Sequence, residues 1–143
     1  MKERGVIMKT LAIYYSYTGN TKRIALQLAA ELGAEPYEIK DEKKLSKFKA
    51  YTWGCYKALR MQDAPVQPIH VNLDEYEKII ILAPIWAGHP APQILAVFNL
   101  LPGGKEIAYR AVSASGASGG KDKVLLALGK KGCKSIDYQD IKA

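Results

Sequence analysis

The sequence predicts an α/β fold: a doubly wound, five-stranded parallel sheet in a single domain over residues 1–143. Three observations carry this expectation. Short apolar runs recur along the chain with helical patterns between them, the alternation that places helices on both faces of a parallel sheet. The clearest run, "KIIILAP" at 78–84, is apolar almost throughout, as a strand buried on both faces has to be. Hydroxyl-rich or glycine-rich stretches follow several of these runs, and right-handed crossovers gather such stretches along one edge of a sheet.

The first strand is "KTLAIYY" (9–15). A helix follows from Asn20 to Leu32, with Ile24, Leu26, Leu28, Ala29 and Leu32 as its apolar face and Gly33 as its C-cap. "PYEIK" (36–40) is a short edge strand, where a leading proline is tolerated. Residues 41–72 are less regular: a lysine-rich stretch, a short helix within "FKAYTWGCYKALRM", then a loop with two prolines. The third strand, 78–84, stops at Pro84. A helix over 91–101 begins near proline and is ended by "PGG" (102–104). "KEIAYRAVSA" is the fourth strand, broken by "GASGG"; "KDKVLLALGKKG" is a helix, and "CKSIDY" the fifth strand. The pattern lacks a last helix after it. Apolar sheet surface left open there would cost roughly 25 cal/mol per Å². A homodimer across that surface would relieve the cost, and a shortened chain would read the same way.

Composition narrows the function. With 48% hydrophobic and 24% charged residues, the chain can bury a core, which excludes wholesale disorder. No apolar run approaches a membrane span and the start lacks a signal-peptide core, so a cytoplasmic protein with no membrane partner is expected. Residues 1–7 read as an N-terminal extension ahead of Met8 or a misassigned start. Cys55 and Cys133 show no ligand or redox spacing and read as two reduced thiols. With only His70 and His89 available, a structural metal site has no support. The net charge of +7 attracts anionic partners, but no nucleic-acid-binding signature accompanies it.

Three post-strand loops stand out, all expected at the carboxyl edge where open parallel sheets bind ligands. "SYTGNT" (16–21) offers backbone amides, a helix N-terminus and the side chains of Ser16, Thr18, Asn20 and Thr21, with Gly19 allowing close approach. Such a nest suits a phosphate; the alternative is a simple helix cap by Thr18 or Asn20. It is neither a Walker A loop nor GxGxxG. "APIWAGHPAP" (83–92) places Trp86 where an aromatic face can stack on a ring or, equally, join the core. His89 has no acid or nucleophile paired with it in sequence and reads as a surface or hinge residue. "SASGASGG" (113–120) supplies main-chain donors with little side-chain bulk.

On these motifs the chain, from about Met8 to Tyr138, resembles the flavodoxin-like family and its short bacterial FMN-binding members. "SYTGNT" is similar to the family's phosphate loop [ST]-x-T-G-x-T. "APIWAGHPAP" and "VSASGASGG" resemble its two ring-side loops. "GCYKALRMQDAP" resembles a segment between strands two and three of the short members, with no chemistry attached. The resemblance implies strand order 2-1-3-4-5. It gives Ser16, Tyr17, Thr18, Gly19, Asn20 and Thr21 to the FMN phosphate, and Pro84, Ile85, Trp86, Ala87 and Gly88 to one side of the ring. Ser113, Ala114, Ser115, Gly116, Gly119 and Gly120 would hold the pyrimidine edge. It also implies electron transfer through FMN, with no catalytic residue of the protein's own.

Three departures qualify the resemblance. The family is typically acidic and this chain is basic, so its flavin should be easier to reduce. The later ring-side loop has no aromatic, leaving Tyr51, Trp53 or Tyr56 as alternatives to cover the ring. Ala87 stands where glycine would ease a peptide flip, with Gly88 as substitute, which disfavours a stable one-electron state. Two readings follow: an electron carrier serving redox partner proteins, acidic ones by charge, or an NAD(P)H-dependent quinone or flavin reductase. The second needs a basic nucleotide pocket, for which Lys43, Lys44, Lys47 and Lys49 are the candidates. A third, a scaffold that has lost its flavin, is opposed by the intact phosphate loop.

Overall fold

The computed structural model describes residues 9–143; the expectation for residues 1–7 lies outside them. Five parallel strands form the sheet: β1 (Thr10–Tyr15), β2 (Glu35–Ile39), β3 (Lys78–Trp86), β5 (Glu106–Ser113) and β6 (Ser135–Lys142), in the order β2-β1-β3-β5-β6. A two-residue strand, β4 (His89–Pro90), pairs antiparallel with the end of β3 and lies off this path. Without it, the order is the expected 2-1-3-4-5, and the fold is flavodoxin-like. The helices are α1 (Asn20–Leu32), α2 (Lys47–Lys49), α3 (Cys55–Leu59), α4 (Pro92–Leu100) and α5 (Lys121–Gly129), with one π turn, Ala50–Gly54, joining α2 to α3.

Side-chain alternation along the strands builds two cores. Leu11, Ile13 and Tyr15 of β1, Ile79 and Ile81 of β3, and Ile107 and Tyr109 of β5 share one face with Ile94, Val97 and Phe98 of α4 and with Val124 and Leu128 of α5. Ala12, Tyr14, Ile80, Leu82 and Ala108 share the other with Ala25 and Ala29 of α1. The second core is made largely of alanines, so α1 lies close on the sheet.

That close approach corrects the predicted face of α1. Thr21, Ala25 and Ala29 are its buried stripe, flanked by Ile24 and Leu28. Leu26 and Leu32 are 42% and 55% exposed. Leu26 falls off the stripe at 100° per residue, and Leu32 closes the helix. Gly33 ends it in the left-handed region (φ 67°), as expected.

Two further expectations change. β6 continues four residues past Tyr138, because polar "QDIK" still completes the ladder with β5. On the α1 side of β5 and β6 the surface is not apolar. The Arg110 guanidinium pairs with the Asp137 carboxylate (2.9 Å) and its carbonyl (2.8 Å), and Gln139 stands opposite Arg110. The exposed apolar face that motivated a homodimer is therefore replaced by a polar one. Among the described residues no helix is long and apolar enough to cross a membrane.

Candidate functional site

Because β1, β3 and β5 are parallel neighbours, the stretches following them open on one edge of the sheet. At the first, the chain turns into α1 through Gly19 (φ 98°), in the left-handed region that favours glycine. Ser16 Oγ accepts from the Gly19 N–H at 3.0 Å. The first bond of the helix runs from Arg23 N–H to the Gly19 carbonyl, 3.0 Å, and no side chain caps the end. Neither Thr18 nor Asn20 is the cap, which corrects the alternative reading. The amides of Asn20, Thr21 and Lys22 therefore lack helical acceptors and lie at the positive end of the helix dipole. A Cβ built on Gly19 would meet nothing within 4 Å, so the space beside it is open. Thr18, Gly19 and Asn20 are exposed and Ser16 and Tyr17 half-buried; Thr21 is buried in line with Ala25. Lys22 faces away, pairing with Glu38 at 3.5 Å.

The second stretch is a hairpin rather than a loop. Pro84, Ile85 and Trp86 remain in β3, because Ile85 and Trp86 pair back with Pro90 and His89. Ala87 (φ 52°) and Gly88 (φ 81°) form the tip, both with positive φ as the tightest hairpins require. His89 Nδ1 lies 3.0 Å from the Ala87 carbonyl of the same turn. Trp86 is half-buried: its indole meets the ring edges of Tyr15 and Tyr17, each with centroids 6.1 Å away, and lies over Gly54 of the π turn. Both readings of Trp86 meet here, since it packs on the core and still borders a cavity.

The third stretch is less open than its composition implied. Ser113 Oγ accepts from Gly116 N–H (3.0 Å), and Ser115 Oγ from Ala117 N–H (3.3 Å), so two main-chain donors are used within the loop. Ser118 Oγ donates to the Asp140 carboxylate (2.7 Å) and also bonds the Tyr138 hydroxyl, tying the loop to β6. Ala114 and Gly119 remain exposed. Gly120 packs on the hairpin, where a Cβ would come within 2.8 Å of the His89 ring and 3.0 Å of the Gly88 carbonyl. The second and third stretches thus touch through Gly88, His89 and Gly120.

A cavity of about 330 Å³ lies beside the first two stretches, lined by Tyr17, Thr18, Trp86, Lys47, Ala50, Tyr51 and Cys55. No residue of 113–120 lines it. Of the three aromatics considered for covering a ring, Tyr51 alone is among its walls. Trp53 lies beneath the ammonium groups of Lys49 (5.3 Å) and Lys57 (5.1 Å), and Tyr56 beneath the Arg60 guanidinium (5.6 Å). Three of the four lysines considered for a nucleotide phosphate lie apart. Lys47 lines this cavity, Lys44 lines a separate one of about 300 Å³ with Ser16 and Asp41, and Lys49 is over Trp53.

Sequence reasoning missed a polar relay behind the site. The Tyr15 hydroxyl donates to Asp41 at 2.6 Å, and Asp41 also accepts from the fully buried Gln93 at 2.7 Å. Burial, then the Asp41 carboxylate, pushes the Tyr15 phenol well above its ordinary range. Residues 15, 41 and 93 are too distant in sequence for any motif to join them. Burial also raises the Cys55 thiol, and Cys55 and Cys133 are free, as expected. Among the described residues no three His, Cys, Asp or Glu side chains cluster to hold a metal ion.

The sequence model of the flavodoxin family matches residues 9–142. No curated protein matches the chain. Among solved structures, the chain is similar to a flavoprotein in complex with FMN from Lactobacillus acidophilus NCFM, with TM-score 0.75 and 22% identity over 93% of this chain and 94% of that one. It is also similar to the apo form of an NADH:FMN oxidoreductase, with TM-score 0.59 and 16% identity over 92% of this chain and 74% of that one. At these identities both likenesses carry the fold.

Proposed function

The chain belongs to the flavodoxin family, and on that premise we propose that it binds FMN and passes electrons through it to and from partner proteins. The observation that carries this reading is the uncapped N-terminus of α1 behind Gly19: three amides without helical acceptors, beside open space at Gly19 and next to the small polar residues Ser16, Thr18 and Asn20. A phosphate dianion satisfies such donors and is stabilised by the dipole without a buried lysine. The residues present therefore fit the group. Ser16 to Thr21 would hold the phosphate, and Trp86 and Tyr51 would border the ring from the adjacent cavity. The flavin supplies the redox chemistry when bound, and the protein supplies binding, orientation and electrostatics.

The chain's own contributions follow from the geometry. Gly54 and the edges of Tyr15 and Tyr17 fix the tilt of Trp86. Ser118, bonded to Asp140, ties the 113–120 stretch to β6, with Gly119 exposed beside the hairpin tip. The flavoprotein neighbour with bound FMN supports the cofactor assignment.

The second reading is an NAD(P)H-dependent quinone or flavin reductase, and the oxidoreductase neighbour supports it at the level of fold. The dispersal of Lys44, Lys47 and Lys49 over separate sites favours the carrier, because a nucleotide phosphate needs convergent cations. Net charge favours acidic redox partners. The test is a titration of purified protein with FMN, followed by visible absorption and then by NADPH addition. FMN saturation, with no NADPH oxidation by quinone in the absence of a partner protein, is the expected result. Protein that stays colourless ends the FMN reading, and rapid partner-free turnover transfers it to the reductase.

A further inference from the structure

A concavity of the protein lies away from the three stretches and shares no residue with them. It is a groove of about 840 Å³ between α4 and α5, closed at one side by the turn after α3. Leu95, Phe98, Ala127 and Met61 give it an apolar floor. Leu126 stands beside that floor 62% exposed, while Val124 and Leu128 of the same helix are in the core. Four lysines line it, Lys57, Lys123, Lys130 and Lys131, against a single carboxylate, Asp63.

Part of that charge is already used. Asp63 accepts from the Asn99 amide (3.0 Å), the Lys131 ammonium donates to the Asn99 carbonyl (3.3 Å), and the Lys57 ammonium donates to the Asp63 carbonyl (3.2 Å). Among the described residues the Lys123 and Lys130 ammonium groups have neither a hydrogen bond nor an ion pair, and both residues are exposed. The groove thus offers an apolar floor, one exposed leucine and two uncommitted cations on the same helix.

The occupant that fits is apolar on one side and acidic on the other. A small ligand would need buried polar groups converging on it, and the polar side chains here are exposed lysines, Gln62, Asp63 and Asn99. A bilayer needs a flat or convex apolar face, whereas these cations surround a concavity. The flanking helices have nine residues each, about 14 Å at 1.5 Å per residue, which accommodates two to three turns of a third helix. We propose that this groove docks an acidic amphipathic helix of a partner protein. Apolar side chains of that helix rest on Leu95, Phe98 and Leu126, and its carboxylates meet Lys123 and Lys130. The inference stands whether or not the protein binds FMN.

The test uses the full chain and a fluorescein-labelled peptide of about 14 residues, with leucine at i, i+3, i+4 and i+7 and glutamate between them. A twin carries lysine in place of glutamate. Fluorescence anisotropy should show binding of the glutamate peptide only, weakening as salt rises. Lys123→Glu with Lys130→Glu should weaken it at least about tenfold, and Leu126→Ser should weaken it in a salt-independent way. All three side chains are exposed, so thermal melts and FMN titrations should match the parent and exclude misfolding. Equal binding of the two peptides, no binding of either, or unchanged affinity in both variants overturns the proposal. Myristate or phosphatidylglycerol vesicles binding through Leu126 where the glutamate peptide does not would also overturn it.

Discussion

Gly54 lies directly against the indole of Trp86: a Cβ at residue 54 would come within 2.5 Å of Trp86 Cζ3 and 2.9 Å of Cε3. Neither partner has an easy retreat, since Gly54 is buried inside a π turn and Trp86 is held by the edges of Tyr15 and Tyr17. Gly54→Ala should therefore cost about 1–3 kcal/mol of stability, the range for overpacking a filled site. It should also weaken FMN binding by tilting Trp86. Denaturant titration measures the first effect and FMN fluorescence quenching the second. Gly54→Ala combined with Trp86→Phe should recover stability relative to the sum of the single changes, because the atoms that clash are gone.

Ala87 holds φ at 52° at the tip of the hairpin, where a Cβ is unfavourable by roughly 1–2 kcal/mol. Ala87→Gly removes that strain but adds unfolded-state freedom, so a net stabilisation of about 0.5–1 kcal/mol is expected. Ala87→Val should destabilise by more than that, since a β-branched residue tolerates the region least. Thermal melts of the three proteins decide the order.

Tyr51 is the one candidate ring-covering aromatic on the cavity wall, and it is 79% exposed. An exposed aromatic on a cavity wall has a face available for stacking. Removal of a stacked aromatic costs about 1–3 kcal/mol, so Tyr51→Ala should weaken FMN binding by about fivefold or more. Trp53→Phe and Tyr56→Phe, whose rings are covered by lysine and arginine, should leave the affinity unchanged. Equal losses in all three would indicate that the helical segment matters only as packing.

The sequence revealed those parts of the molecule governed by local pattern. The alternation of strands and helices followed from the apolar runs, and the nest of amides at the start of α1 was one of two readings of "SYTGNT", because both depend on residues adjacent in the chain; the strand order came from the family resemblance. The π turn at Ala50–Gly54 was not legible, since its register is set by Trp86 meeting Gly54 from 32 positions away. The hairpin at Ala87–Gly88 was read as a loop because two prolines suggested a break. Pro90 instead occupies a two-residue strand off the main sheet path, where its missing N–H is tolerated. Leu26 misled the helix reading because it was counted as apolar although it stands about 100° from Ala25, off the stripe that meets the sheet.

Alkaline pH should unfold the protein through two tyrosines. The Tyr76 hydroxyl donates to Glu35, and that bond, followed by burial, pushes its phenol up to about 12. Tyr15 is raised further by burial and Asp41. A group whose folded pKa lies above its unfolded value contributes stability that is complete below the unfolded pKa and is lost above it. Stability should thus be flat up to about pH 10, the ordinary phenol value, and fall from there toward pH 12. Tyr76→Phe should lower stability at pH 8 and flatten part of that fall. A fall equally steep in Tyr76→Phe and in Tyr15→Phe would place the cause elsewhere.

The basic charge should set the reduction potential. A reduced flavin carries added negative charge, which a net charge of +7 stabilises and an acidic protein would repel. The nearest contribution comes from Lys47, whose side chain lines the cavity beside Trp86 and Tyr51. More distant lysines are screened beyond about 8–10 Å at physiological salt. Potentiometric titration should therefore give a two-electron potential above that of an acidic flavodoxin. Lys47→Glu should lower it, and by more than Lys134→Glu, a change to an exposed residue remote from the cavity. Equal shifts from both substitutions would mean that overall charge acts rather than position. A potential at or below the acidic case would remove the electrostatic argument altogether.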